Sequence, residues 1–401
     1  MAERGNPCRM PRTRTLVLVL AGGAGGRLEL LTHRRAKPAV SFAGTHRLVD
    51  FPLSNCVNAG IGDVWVAQQY NPVSLSDHLA NGRAWDLDRT TGGLLVLHPS
   101  EGNEGPEGFQ SGTAEVVHSN GPKIREFGPA ALVVVSADAV YKLDYGALVD
   151  EHMETGADVT MVTTEVDPGD AGRYGVVQAG GGRLRAYVYK PDEPDGNLVS
   201  NEVFVFRPGA LLDVLEELAA GDDGPGDLGD AALPRLVDAG NAREHRFVDY
   251  WRDVGTIPAY WQAHRELTRD EPPIDLDDPA WPVLTHATSH RASAQVLAGA
   301  ALEQALLAPG SRVGGTVERS VIGRGAVVEA GATVRDAVVL PGAVVRAGAT
   351  VERAVVDQGV DVRADVGAAD GDIALVGLEA TVEEPVPAGG RYPATGDDDQ
   401  R

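Results

Sequence analysis

Thr15–Leu28 reads TLVLVLAGGAGGRL, an uninterrupted apolar, β-branched run that empties directly into a glycine-rich loop. Such a run has no polar face to give to water, so it reads as a strand buried on both sides, as in a parallel sheet. Working outward, similar runs stand at Val64–Ala67, Ala131–Val135 and Asp158–Thr163, separated by helical spacing at Leu53–Ala59 and Tyr145–Met153. This alternation predicts an α/β domain on a mixed, mostly parallel sheet. Gly175–Gln178 and Leu184–Tyr187, joined by Gly180–Gly182, predict a hairpin, and Leu211–Ala219 and Pro258–Leu267 predict helices.

The loop Gly22–Arg27 invites a phosphate, because glycines let backbone N–H groups approach phosphate oxygens closely. A dinucleotide fingerprint starting at Gly23 requires a third glycine where Leu28 stands. A P-loop starting at Gly22 requires Gly-Lys where Arg27 and Leu28 stand. Neither fits, so two readings stand: a phosphate cradle of another kind, or an ordinary strand-to-helix turn. Arg27 and, ten residues on, Lys37 favour the cradle. The net charge of −23, from 35 basic and 58 acidic residues, argues against nonspecific binding to nucleic acid or an acidic membrane, so an anionic ligand requires a local basic site. Of the basic residues only four are lysine, Lys37, Lys123, Lys142 and Lys190. A lysine kept in an arginine background marks a place for a compact ammonium, unless it survives by chance.

From Asp270 to Pro282 the sequence turns to DEPPIDLDDPAWP, which continues no helix and has little to bury. Beyond it aliphatic residues recur every six positions, at Ile322, Val328 and Val334 and then, one residue out of phase, at Val345 and Val351, with glycine at 325, 331, 342 and 348. That period matches a hexapeptide parallel β-helix better than an Ala/Val/Gly-rich sandwich. The expected organisation is a disordered tail over 1–14, a catalytic domain over 15–269, a linker over 270–290, a β-helix over 291–375 and a disordered acidic tail over 376–401. No apolar run reaches the roughly 18 residues of a membrane span, and Cys8 and Cys56 form neither a disulfide framework nor a zinc spacing. A cytoplasmic protein is expected.

The loop GGAGGRL, then RAKPAV (35–40), DFPLSNC (50–56), Gln69-Tyr70 and YWRDVGT (250–256), occur in an order that resembles glucose-1-phosphate adenylyltransferase, the ADP-glucose pyrophosphorylase family of bacteria and plants. The likeness runs from about Thr15 to Leu267, and C-terminal hexapeptide repeats are also a family feature. It implies a Rossmann-like nucleotidyltransferase domain followed by a left-handed parallel β-helix. It also implies synthesis of ADP-glucose and pyrophosphate from ATP and glucose 1-phosphate, with Mg2+, in glycogen or starch synthesis.

By that resemblance Ala21, Gly22, Gly23, Gly25 and Gly26 hold the triphosphate, while Arg27 and Lys37 stabilise charge on the transferred and leaving phosphates. Gln69, Gly112 and Thr113 lie near adenine. Asp138 and Asp253 match the Mg2+ pair; without the resemblance, an aspartate after a strand equally reads as a helix cap. Gln110, Gly175, Tyr189, Lys190, Ser200 and Glu202 match the sugar side. The chain departs from the family pattern there. Ala139 stands for a histidine, Tyr189 for a glutamate and Gln110 for a tyrosine, and Ser200-Asn201-Glu202 replaces Ser-Met-Gly, so the Glu202 carboxylate is available for a sugar hydroxyl.

Three functions remain in view: the adenylyltransferase, a transferase of the same fold with another sugar or nucleotide, and a catalytically weak regulatory subunit. Retention of Arg27, Lys37, Asp138 and Asp253 weighs against the third. An acyltransferase on the β-helix is disfavoured because 291–401 holds no histidine. The family implies a homotetramer under allosteric control, with Arg34, Arg35 and Lys37 as a basic cluster suited to an effector.

Overall fold

The computed structural model describes residues 13–23, 25–98, 112–222, 224–286 and 292–393. Cys8 and Gln110 lie outside them.

The run Thr15–Ala21 forms strand β1, and its alternation explains why it is apolar throughout. Val17, Val19 and Ala21 enter one core, and Leu16 and Leu18 enter another on the opposite face of the sheet. β2 (Asp63–Gln68), β3 (Gly93–Leu97) and β4 (Ala131–Ser136) complete a parallel half, β2 and β4 flanking β1 and β3 lying beyond β2. The remaining strands are β5 (Val159–Glu165), β6 (Gly175–Gly180), β7 (Arg183–Tyr189), β8 (Leu198–Phe206) and β9 (Ala242–Arg246). The sheet runs β3-β2-β1-β4-β8-β5-β9-β7-β6. β8 is antiparallel to both β4 and β5, so the mixed character enters at the centre of the sheet. The expected helices form as Asp50–Asn58, Tyr145–Thr155, Pro208–Ala219 and Ile257–Leu267.

The described residues of the expected linker, 270–286, carry no helix or strand, yet they are packed against the catalytic domain. Trp281 donates its indole N–H to the Asn55 amide oxygen at 3.0 Å, and Asn58 donates to the Pro282 carbonyl at 2.9 Å. Apolar Ile274 and Val283 are buried, which is how an acidic, proline-rich segment is held down.

From Gln295 to Tyr392 short strands stack in parallel on three faces, the arrangement of the expected left-handed β-helix. Ile322, Val328, Val334, Val345 and Val351 all point to the axis and are at most 1% exposed. The expected end at residue 375 is corrected: Thr381–Val382 pairs with Asp361–Val362, and Arg391–Tyr392 pairs with Leu375–Val376. Val376, Val382 and Val386 keep filling the axis, so the coil continues through the expected acidic tail to the end of the described residues.

A further apolar cluster joins the two parts. Leu28, Leu31, Phe42, Phe51, Tyr260 and Trp261 of the catalytic domain pack with Val321, Val338, Val355 and Leu375 of the coil. The β-helix is thus docked on the segment that follows the glycine loop.

Candidate functional site

A cleft of about 390 Å³ opens over the C-terminal ends of β1 and β2, where an open α/β sheet presents its loops. Its walls include Ala21, Gly22, Gly23, Arg27, Lys37, Gln69, Gly112, Thr113, Asp138, Gly175, Tyr189, Lys190, Ser200 and Glu202. Fourteen residues chosen on sequence therefore converge from eight separate stretches of the chain. Gly25, Gly26 and Asp253 are not wall residues, and two of them act from behind the wall.

Gly25 has φ +68°, and a Cβ there would come within 3.0 Å of the Lys37 Cβ. Its role is therefore to let the Lys37 side chain pass, as well as to shape the loop. The Lys37 ammonium lies 2.7 Å from an Asp138 carboxylate oxygen and 3.8 Å from one of Asp253. Asp253 reaches this point because Trp251–Asp253 pairs with Ala139–Tyr141, which sets it opposite Ala139, one residue beyond Asp138. Arg173 donates to the other Asp253 oxygen at 3.2 Å, and the Ser136 hydroxyl donates to Asp138.

The charges set one another's protonation. Burial works against the Lys37 ammonium, but the Asp138 and Asp253 carboxylates outweigh it and hold its pKa above the ordinary lysine value. Burial would raise Asp138, but Lys37 and the Ser136 hydroxyl hold it below the usual carboxylate range. Asp253 is raised, by burial and then by the Asp138 charge. These assignments keep Asp138 ionised and Lys37 charged, the states that bind cation and phosphate respectively.

Two carboxylates beside the glycine loop are a donor set that suits Mg2+, which takes one or two acidic ligands and completes its octahedron with phosphate oxygens and water. Asp138 keeps 29% of its side chain exposed, so a face remains for such an ion. Among the described residues no group of three or more histidine, cysteine or acidic side chains forms a metal cage.

At the expected nucleotide side, Gln69 lies over Gly22, its amide 3.2 Å from where a Cβ would stand. Thr113 is engaged within the protein. Its backbone N–H and hydroxyl donate to the Asp227 carboxylate at 2.9 and 3.2 Å, and its hydroxyl accepts from Leu228 N–H at 2.9 Å. The side chain therefore ties two loops of the cleft together. Asp227, Leu228, Gly229 and Tyr187 also line the cleft, and sequence reasoning missed them. Only the segment GDLGD (226–230), two glycines each followed by an aspartate, carries any signal there.

At the expected sugar side, a Cβ on Gly175 would meet the Tyr187 hydroxyl at 2.3 Å, so this position admits glycine alone while Tyr187 stays in place. Lys190 donates to the Tyr189 hydroxyl at 2.7 Å and lies 4.4 Å from the centre of that ring. Glu202 sits at a register shift in β8 with φ +61°, a conformation that explains why glycine is the family residue there. Its side chain opens on the cleft. Enclosure by the cleft, with the Asp138 and Asp253 carboxylates, pushes its pKa up to about 7.

The expected basic cluster is not one cluster. Arg35 is 5% exposed and pairs with Asp357 of the β-helix, Lys37 points into the cleft, and only Arg34 is open to solvent.

The sequence profile described as nucleotidyl transferase matches residues 16–270, and the profile described as GlmU-like, C-terminal hexapeptide matches 290–370. A glucose-1-phosphate adenylyltransferase of Thermotoga sp. (strain RQ2) is 40% identical over 324 residues, 79% of this chain and 76% of that protein. The Thermomicrobium roseum protein of that name is 40% identical over 298 residues, 73% of this chain and 69% of its own. The Bacillus cereus (strain Q1) one is 35% identical over 322 residues, 80% and 85% of the two chains. At 35–40% identity over 73–80% of its length, and with the nucleotidyl transferase profile matching most of it, the chain belongs to the glucose-1-phosphate adenylyltransferase family of nucleotidyl transferases.

Proposed function

We propose that the protein joins ATP and α-D-glucose 1-phosphate into ADP-glucose with release of pyrophosphate, in glycogen or other α-glucan synthesis. The observation that carries this reading is the Lys37 ammonium held between the Asp138 and Asp253 carboxylates at the foot of the glycine loop. A phosphate oxygen of the sugar phosphate attacks the α-phosphorus, a new P–O bond forms, and the bond to the pyrophosphate oxygen breaks with its electron pair. Such a reaction needs positioning and charge neutralisation rather than a covalent nucleophile. The loop 22–26 cradles the triphosphate, and Arg27 and Lys37 balance charge as it moves onto pyrophosphate. Asp138 and Asp253 would hold Mg2+, which when bound supplies further neutralisation of the phosphates. Gln69, Gly112 and Thr113 frame adenine; Gly175, Tyr189, Lys190, Ser200 and Glu202 frame the sugar phosphate, with Lys190 as its point charge.

The test is pyrophosphate release with Mg2+, crossing ATP, UTP, GTP and dTTP against glucose 1-phosphate and other sugar 1-phosphates. Activity with ATP and glucose 1-phosphate, lost in Asp138→Asn, is the expected result. A different best pair would support a second reading, another sugar or nucleotide, which the Tyr189 and Glu202 replacements favour. Silence across the panel from folded protein would support a regulatory subunit.

Three further properties belong to this proposal. A cytoplasmic location, where ATP and sugar phosphates are at hand, is part of this reading, and among the described residues no helix is long and apolar enough to cross a membrane. Val296, Leu297 and Leu302 stand exposed on the first coil, a surface suited to burial in a homotetramer. Allosteric control would act through the junction of the two domains.

A further inference from the structure

The β-helix grips the phosphate side of the cleft at two points, each two residues from a cation of the site. Arg35 donates to both Asp357 oxygens, at 2.8 and 3.1 Å, with the side chains 6% and 0% exposed. Arg35 precedes Lys37 by two positions. Asp357 is fixed in turn: Gln358 N–H donates to it at 2.6 Å, and the Gln358 amide donates to the Ser41 hydroxyl at 3.1 Å. At the second point Arg391, on the last strand pair of the coil, makes a forked contact with the Glu29 carboxylate, one arm at 2.9 Å. Glu29 follows Arg27 by two positions and has φ +49°, in the left-handed region that a non-glycine residue holds only where its surroundings impose it. The other Arg391 nitrogen donates to the carbonyls of Ile373 and Gly389, which fixes the fork to the coil.

We propose that Asp357 and Arg391 are positioning residues for nucleotidyl transfer. Acting through Arg35 and Glu29, they set the backbone of 26–39, and so the places of Lys37 and Arg27 over the phosphates. The β-helix is on this account part of the catalytic apparatus without touching substrate. The pairing is suited to the task because a guanidinium–carboxylate fork fixes direction as well as distance. This inference rests on the proposed role of Lys37 and Arg27, and its test has one reading that needs no activity.

The experiment uses the full chain with Asp357→Asn, Arg35→Lys and Arg391→Gln, and with Asp336→Asn as a control. Asp336 accepts from Arg265 at 2.8 Å and lies at the same domain junction, away from the two cations. Backbone hydrogen exchange over 26–39 is expected to rise at least tenfold in Asp357→Asn and Arg391→Gln and to stay within twofold in Asp336→Asn. Below each variant's melting temperature, kcat is expected to fall about tenfold or more, with KM for the sugar phosphate within twofold. Arg35→Lys keeps the charge and loses the fork, so it should fall between wild type and Asp357→Asn. It also serves, with the half-exposed Arg391 pair, if Asp357→Asn does not fold. Exchange over 26–39 no faster than in Asp336→Asn would overturn the proposal whatever the activity. Loosened exchange with kcat unchanged would overturn its catalytic part, and an inactive wild type with loosened exchange in the variants would fault the reaction assignment alone.

Discussion

Lys37 and Asp138, joined by a 2.7 Å ion pair, are unequally exposed: the lysine side chain shows 7% of its surface and the aspartate 29%. Both side chains line the cleft, and the acidic member of the pair shows more of its surface there than the cation does. Lys37→Gln should lower kcat by about 10²-fold or more, as removal of a preorganised charge from a transition state commonly does. Lys37→Arg should not restore it, because a planar guanidinium cannot take the place of a compact ammonium set 2.7 Å from Asp138 and 3.8 Å from Asp253. Steady-state pyrophosphate release by the two variants decides this.

Glu202→Gly should separate strain from function. The left-handed backbone at 202 costs a non-glycine residue about 1 kcal/mol, so the glycine variant should melt at the wild-type temperature or above it. If the carboxylate accepts a sugar hydroxyl, KM for the sugar phosphate should rise severalfold in both Glu202→Gly and Glu202→Gln. Higher stability with unchanged KM would remove Glu202 from the sugar site.

His264 makes the fold sensitive to acid. Ala43 N–H donates to its Nε2 at 3.0 Å, and its Nδ1–H donates to the Tyr260 carbonyl at 2.8 Å, an arrangement open only to the neutral ring. Burial lowers its pKa from 6.5 to about 4. Between those values the unfolded chain binds a proton that the folded chain refuses, so stability is full above pH 6.5 and falls as pH drops toward 4. The loss from this residue is about 3 kcal/mol. Denaturant midpoints for wild type and His264→Gln across pH 4 to 7.5 should converge at the acid end.

Assembly should depend on the first coil. Leu302, 42% exposed, and Val296, 52% exposed, lie on strands at the edges of their sheets. Light scattering is expected to give a mass several times 42.1 kDa. Val296→Glu with Leu302→Glu should reduce it. A wild-type mass near that of one chain would sink the homotetramer.

Local chemistry made much of the molecule legible in advance. The run 15–20 and the six-residue spacing from Ile322 each report burial directly, since a residue that faces an axis or a core must be apolar at every repeat. β8 and β9 were illegible for the opposite reason. β8 breaks its alternation at Ser200-Asn201-Glu202, where a register shift turns the strand, and AREHR (242–246) is polar yet lies inside the sheet. Loop residues with a motif could be placed by resemblance. The Thr113–Asp227 tie and the Arg35–Asp357 fork join residues 114 and 322 positions apart, and no periodicity carries information over such a span.

The stacking of the coil also limits how this protein can change length. Asp357 follows the strand Ala354–Val356, and Arg391 lies two strands further along the same face. Adjacent strands are about 4.8 Å apart, so the two grips stand on a scale graduated in whole coils. Insertion of one coil between them would carry Arg391 a full graduation past Glu29, and no side chain spans that error. Growth or loss of repeats is therefore open only outside the interval from 357 to 391, and within it the chain can vary its residues but not its count of turns.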